Sequence, residues 1–201
     1  MSVIKPYRHL SKQEIEAQAL SVIKWVQEKR TRPLKWPLDA GYIAEALGLD
    51  MDCGNIPADQ QGEIAAMILP TQRKIILNER SLAMPKGFEE SCISHEIGHW
   101  QLHIDHNQLN QQEVPFLCRA INNVQGIEWQ AQYFASCLLM PRFKLEEFKK
   151  GRNLTKWPHL YALAEDLGVT ISNLTYRLQQ LEWIKIPKGT KEIYRGDAYP
   201  G

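Results

Sequence analysis

The chain has 201 residues, of which 44% are hydrophobic, and a formal net charge of +1, which suffices for one good core and a small additional unit. It contains no run of 18 apolar residues and no apolar N-terminal region, so neither a membrane-spanning helix nor a secretory signal is predicted. The four cysteines form no CxxC pair, which argues against a cysteine zinc site and favours reduced thiols. A soluble cytoplasmic protein is therefore expected.

The first predicted element is a helix that begins after Ser11. Ser11 and Glu14 have the spacing of a capping box, in which each side chain accepts the other residue's backbone N–H. An apolar stripe at helical spacing follows, made of Ile15, Ala19, Val22, Ile23 and Val26. Pro33 and Pro37 end this pattern, and a second helix is predicted over residues 38–47, before a glycine.

Two strands come next, over residues 63–69 and 74–77, joined by a predicted hairpin turn at residues 70–73. The first strand alternates poorly and is flanked by a glycine and a proline, as an edge strand beside an open cleft is. An extended peptide can add to such an edge through backbone hydrogen bonds. The strand over residues 63–69 is therefore a candidate edge for holding a substrate, with an ordinary covered edge as the alternative.

A loop or short helix over residues 78–86 leads to a helix that starts near Phe88 and carries the sequence HEIGH. His95 and His99 are four residues apart, so both imidazoles project from one helix face and can bind the same tetrahedral ion. Glu96 lies off that axis, where it can reach a water at the ion instead of the ion itself. This spacing predicts a metal site with a general base beside it.

A further helix is predicted to end at Pro141, after an Asn- and Gln-rich stretch at residues 104–126 that is expected to be irregular around a short helix. Ala131 and Ala135 form a small-residue groove on it, which permits another helix to approach closely. Glu128 begins this helix, and the amide of Gln132 follows one turn later.

A third metal ligand is needed, and the candidates are Asp105, His103, His106, Glu113 and Glu128. Asp105 has the spacing of one zinc-peptidase pattern, but the glycine that turns the chain back toward the ion is missing. His103 lies on the same helical face one turn further on, so its side chain is poorly placed to be the third ligand of an ion bound by His95 and His99. Glu113 lies in a polar loop without helical framing. Glu128 is the strongest candidate because the alanine groove would bring it to the HEIGH helix.

The last quarter of the chain has the spacing of a helix-turn-helix unit. A short helix over residues 160–167 ends at Gly168, and Thr170 or Ser172 can cap a second helix that runs to Leu181. The apolar positions on one face of this second helix are Leu174, Leu178 and Leu181.

Residues 183–194 alternate and turn at a Lys-Gly pair, as the wing of a winged helix does. Residues 142–195 hold eleven Lys and Arg against six Asp and Glu, yet Arg177 is the only cation in the second helix that could contact bases. We therefore expect this unit to pack on the rest of the protein and help recognise a substrate, with DNA contact a less favoured alternative.

The motif pair HEIGHW…LH and ExxAxxFAxxLLMP resembles the ImmA/IrrE family of regulatory zinc peptidases. The resemblance implies an α+β fold: a mostly helical, zincin-like peptidase domain with a small β-sheet over residues 1–150. A helix-turn-helix, winged-helix-like module is expected over residues 151–201. It further implies that His95, His99 and Glu128 bind Zn²⁺, with Mn²⁺ as an alternative ion, and that Glu96 is the catalytic base. At Gln132 the family usually has Asp or Asn, so a partner of a ligand histidine would be displaced by one methylene.

Two functions from different classes remain. One is a zinc-dependent endopeptidase that cleaves a regulatory protein of the helix-turn-helix repressor type, as the resemblance implies, in transcription regulation or a stress or mobile-element response. The alternative is a non-proteolytic DNA- or protein-binding regulator with a structural or vestigial metal site. Glu96 favours the peptidase, because a structural zinc site usually closes with a fourth protein ligand and has no use for a base. Tyr133, His103 and His106 are candidate donors to a developing oxyanion, without a motif to support any of them.

Overall fold

The computed structural model describes residues 3–60, 62–109, 116–119 and 126–199 and shows an α+β fold. The α-helices in these ranges are α1 (Lys12–Glu28), α2 (Ala40–Ala46), α3 (Phe88–Leu102), α4 (Gly126–Leu139), α5 (Arg142–Phe148), α6 (Trp157–Leu167) and α7 (Ile171–Gln180). The strands are β1 (Asp50–Gly54), β2 (Ile64–Leu69), β3 (Lys74–Asn78), β4 (Phe116–Arg119), β5 (Ile184–Lys185) and β6 (Tyr194–Arg195). In the part of the chain that the structure describes, every helix is too short or too polar to cross a membrane.

The predicted first helix is confirmed as α1, including its cap. The backbone N–H of Glu14 donates to Ser11 Oγ at 3.2 Å, and that of Ser11 donates to Glu14 Oε2 at 2.8 Å. The five residues of the apolar stripe are all buried. Helix α1 packs against α4, and α2 begins at its cap Asp39, slightly later than expected. Local capping and periodicity therefore account for this end of the chain.

One four-stranded sheet, with the order β1-β3-β2-β4, supports the helices. Strands β2 and β3 form the predicted hairpin, turned by a 3₁₀ segment, Pro70–Gln72, and by Arg73 with its φ of 50°. The expectation that the strand over residues 63–69 is an edge was wrong. Ala66 pairs with Leu77 on β3 and, across the other side, with Cys118 on β4. The strand alternates poorly because most of its residues on both faces are buried, as in a central strand.

Strands β1 and β4 were missed in the sequence. β1 runs parallel to β3, and its residues are exposed or half-buried without alternation, so no period-2 pattern is present. β4 lies in the stretch expected to be irregular around a short helix, which was wrong for residues 116–119. Among the described residues, β1 and β4 are the two edges of the sheet.

The C-terminal segment folds against the N-terminal part through close backbone contacts. Helix α6 ends at Gly168, whose φ is +65°, and Thr170 caps α7 by accepting from the N–H of Asn173 at 3.2 Å. A Cβ at Gly168 would lie 2.5 Å from Cβ of Pro37, and one at Gly87 would lie 2.6 Å from the carbonyl oxygen of Gly168. The turn between α6 and α7 is therefore packed between two loops of the N-terminal part. Strands β5 and β6 form a small antiparallel pair after it.

Candidate metal centre

Helix α3 is buried along most of its length. It packs against α4 and also against the sheet strands β2, β3 and β4. A helix surrounded by protein on several sides has no need of a single apolar stripe. As a result, the side chains of His95, Glu96 and His99 are removed from bulk water, with exposed fractions of 4%, 0% and 0%.

The contact between α3 and α4 is made by two small residues. A Cβ placed on Gly98 would lie only 3.0 Å from both the Cα and the carbonyl oxygen of Ala131. The groove that the sequence predicted at Ala131 is therefore confirmed as a close helix contact. Glu128 lies one turn before Ala131, and this short separation brings its carboxylate to the two histidines of the HEIGH motif.

Three donor atoms converge between the two helices. Glu128 Oε2 is 3.1 Å from His95 Nε2, Glu128 Oε1 is 3.4 Å from His99 Nε2, and the two Nε2 atoms are 3.0 Å apart. In a tetrahedral zinc site with bonds of about 2.0–2.1 Å, neighbouring ligand atoms are about 3.3 Å apart. His95, His99 and Glu128 form a group that could hold a metal ion. The donors fit zinc with three protein ligands and one position for water or substrate, as in catalytic sites.

The charge states of these groups suit a divalent cation. Burial lowers the pKa of His99 to about 3, although the nearby carboxylate of Glu128 opposes that effect. Burial raises the pKa of Glu128, but the close approach of the His95 and His99 rings outweighs it and leaves the pKa well below its usual range. A neutral imidazole and an ionised carboxylate are the forms that bind metal.

The remaining candidate ligands have other contacts. His106 Nε2 is 2.9 Å from the carbonyl oxygen of Trp100, and the ring stacks on the indole of Trp100. Asp105 Oδ1 accepts from the N–H of Asn107 at 3.1 Å in the turn after α3. Glu113 lies outside the described residues. Neither His106 nor Asp105 is in the donor group that the described residues form.

His103 lies on the side of the His99 ring that faces away from Glu128. Its Nδ1 is 3.1 Å from Nδ1 of His99, on the opposite edge of that ring from the Nε2 that faces Glu128. His103 Nε2 is 3.0 Å from Gln130 Oε1. Burial lowers the pKa of His103, which favours its neutral form. The spacing of His103 one turn after His99 was the available signal for this contact, although the same spacing makes His103 a poor ligand for the ion.

The amide near the ligands is Gln130, whereas Gln132 was expected there from the sequence. Gln130 is 1% exposed and lies within hydrogen-bond distance of His103. Gln132 is half-buried and lines a small cavity together with Ser91 and Tyr176. The helical position of Gln132 relative to Glu128 therefore did not identify the amide that contacts His103.

Tyr133 lies in a different polar cluster on α4. Arg177 donates from Nη1 to the Tyr133 hydroxyl at 3.3 Å, from Nε to the Met140 carbonyl at 3.3 Å, and from Nη2 to Glu16 Oε1 at 2.7 Å. Burial raises the pKa of Tyr133 to about 12. Arg177 itself is 0% exposed, so the cation that the sequence analysis considered for base contacts is inside the protein.

The chain thus combines an α+β fold with a group of three donor atoms that could hold a metal ion. The chain belongs to the Peptidase_M78 family, described as the IrrE N-terminal-like domain, whose model matches residues 58–179, more than half of the chain. This confirms the resemblance seen in the motifs, and the match includes both helices of the donor group. No curated protein matches the chain in a comparison of sequences.

Proposed function

We propose that this protein is a zinc-dependent endopeptidase. The observation that carries the proposal is the convergence of three donor atoms, 3.0–3.4 Å apart, beside the fully buried Glu96. Burying a carboxylate costs free energy, and such groups concentrate at functional sites. A structural zinc site would instead be closed by a fourth protein ligand, and the donor group among the described residues has three members.

His95, His99 and Glu128 would hold the ion, and the zinc would supply Lewis acidity toward a water and a substrate carbonyl. Glu96 would accept the proton that the attacking water loses. It would then deliver this proton to the amine that leaves when the peptide bond breaks. Gly98 and Ala131 would keep the carboxylate of Glu128 at bonding distance by holding α3 and α4 together.

The substrate that we propose is a regulatory protein of the helix-turn-helix repressor type, as the family resemblance implies. Strand β4 is a sheet edge among the described residues and packs near α3, so its outer side could pair with an extended peptide. A cytoplasmic setting accords with Cys53, Cys92 and Cys137, all of which are free thiols.

For residues 151–201 we propose a helix-turn-helix, winged-helix-like module that packs on the peptidase domain of residues 1–150 and helps to recognise the substrate. Burial of Arg177 and the contact of Gly168 with Pro37 support this packing. The most exposed residues of α7 are Ser172 and Tyr176, which carry no charge for phosphate contacts. These features argue against the alternative of a DNA-binding regulator.

The experiment is a comparison of wild-type protein with Glu96→Gln and with Glu89→Gln, an exposed glutamate on the same helix. A repressor encoded beside the gene is incubated with each protein, its fragments are identified by mass spectrometry, and bound zinc is measured. We expect Glu96→Gln to retain zinc and lose about 10²–10⁴-fold in cleavage rate, while Glu89→Gln cuts normally. Equal cleavage by Glu96→Gln would refute the mechanism.

The alternative function has its own measurement. Gel-shift titration of the wild-type protein against DNA upstream of its own gene, at two salt concentrations, detects a DNA-binding regulator. Sequence-selective DNA binding at physiological salt, together with no cleavage of any repressor tested, would refute the peptidase function and support a DNA-binding regulator.

A further inference from the structure

A chain of hydrogen bonds leads away from the metal centre toward the N-terminal segment. It runs from His99 Nδ1 to His103 Nδ1 over 3.1 Å and from His103 Nε2 to Gln130 Oε1 over 3.0 Å. Gln130 Nε2 then donates to the backbone carbonyl of Arg8 at 2.9 Å. His99, His103 and Gln130 are 0%, 5% and 1% exposed, so most of each side chain is shielded from bulk water.

The direction of every bond in this chain is determined by its last member. A carbonyl oxygen such as that of Arg8 can only accept, so the amide of Gln130 must present its NH₂ there and its oxygen to His103. That oxygen also only accepts, so Nε2 of His103 must carry a proton. In neutral His103 the other nitrogen, Nδ1, is then an acceptor, and His99 must donate to it from its own Nδ1. The Nε2 lone pair of His99 is thereby left for the ion.

The Arg8 carbonyl is itself held in place. The N–H of Lys5 donates to the His103 carbonyl at 2.8 Å, and the N–H of Asp105 donates to the Val3 carbonyl at 2.8 Å, so the N-terminal segment is joined to the end of α3. After Arg8 the capping box of Ser11 begins α1. A cavity of about 510 Å³ lies between this segment, α1 and the two ligand helices, and His103 and Gln130 form part of its wall.

We propose that His103 and Gln130 are positioning residues, which use the Arg8 carbonyl to hold His99 in the tautomer and ring orientation that zinc binding requires. Residues that hydrogen-bond to a metal-binding histidine typically contribute 10- to 100-fold in metal affinity. This inference rests on the proposed metal site but not on peptide cleavage. It also assigns the N-terminal segment a part in metal affinity.

The test uses zinc affinity of the full-length protein, measured by competition with a chelator. His103→Leu removes the acceptor at similar volume and should weaken zinc binding about 10- to 100-fold. His103→Asn places a carbonyl oxygen where Nδ1 was and should restore affinity to within about threefold of wild type. This rescue would not occur if His103 only filled space, because Leu fills that space as well.

A matched pair of glutamine variants covers the case in which His103→Leu fails to fold. Gln130→Met breaks the chain and should weaken zinc binding about 3- to 10-fold, whereas Gln132→Met on the same helix should leave it unchanged. In ¹⁵N NMR spectra of the zinc-loaded wild type, Nδ1 of His99 should carry the proton. Coordination of the ion through Nδ1, or unchanged affinity in both His103→Leu and Gln130→Met, would overturn the inference. If these variants lose zinc affinity as expected but the wild-type protein cuts no substrate, the positioning role of His103 and Gln130 stands and only the proposed peptidase activity is refuted.

Discussion

Helix α4 contributes to two polar clusters in the protein interior, one suited to binding an ion and one that contains its own cation. In the first, His95, His99 and Glu128 direct their lone pairs toward one another, an arrangement that favours an added cation. In the second, the guanidinium of Arg177 already meets the carboxylate of Glu16, together with neutral oxygen acceptors. The first cluster is suited to binding an ion, and the second supplies its own cation and joins α7 to α1 and α4. Burial of polar groups therefore points to an ion site only where acceptor atoms converge.

The largest expected effect that separates the clusters comes from Arg177→Met. Removing the buried guanidinium should lower the free energy of unfolding by about 3 kcal/mol, because the Met140 carbonyl and the partly exposed Glu16 lose their donor. Zinc affinity, measured on the folded protein, should not change. Arg195→Met removes the exposed pair with Asp197 and should cost at most about 0.5 kcal/mol. A loss of zinc from folded Arg177→Met would show that the two clusters are not independent.

A smaller effect is expected where the C-terminal turn packs on the N-terminal part. Gly168 and Gly151 both have positive φ, at 65° and 75°, so alanine is strained at either position. Only at Gly168 would the new Cβ meet another residue, 2.5 Å from Cβ of Pro37. Gly168→Ala should therefore destabilise by about 1–3 kcal/mol more than Gly151→Ala in urea unfolding. Equal effects would mean that the turn is free to move away from Pro37.

The smallest effect is a dependence of stability on pH that arises at the metal cluster and its neighbour His103, and not at the Arg177 cluster. The pKa of His99 is about 3 in the folded protein and is near its usual 6.5 in the unfolded chain, so between these values the unfolded state binds more protons. Stability of the zinc-free protein should therefore fall as pH falls below 6.5, by about 1 kcal/mol at pH 5.5. Arg177, whose pKa is raised, stays charged throughout this window. Urea titrations at pH 6.5 and pH 5.5 should show a smaller loss of unfolding free energy in His99→Asn than in the wild type. An equal loss in the two proteins would mean that another group causes the pH dependence.

The sequence predicted the features that depend on spacing within a single element. The capping box of Ser11 and Glu14, the hairpin at Pro70 and the small face of Ala131 follow from neighbours a few residues apart, and the structure confirms each. Glu128 was the strongest candidate for a third ligand, and the structure brings it to His95 and His99.

Spacing along the chain did not predict the features that depend on how separate helices and strands pack together. Arg177 has the sequence context of a surface cation, and only the approach of α1 and α4 buries it. Gln130 and Gln132 are two positions apart and therefore project from nearly opposite faces of one helix, so the choice between them depends on which face of α4 meets His103. β1 pairs in parallel with β3, which is not the next strand along the chain, and its own residues carry no alternation that would predict this.

Gly98 and Ala131 have no reactive groups, yet their close contact restricts which HExxH sequences can form a three-donor metal centre of this kind. The second variable position of the motif supplies no ligand, yet in this chain a Cβ at that position would lie 3.0 Å from the backbone of Ala131. A bulky residue there would move the two helices toward the ordinary interaxial distance of about 8–10 Å and withdraw Glu128 from the histidines. Searches for centres of this type should therefore gain selectivity by requiring a small residue at that position and another on the crossing helix three residues after the acidic ligand.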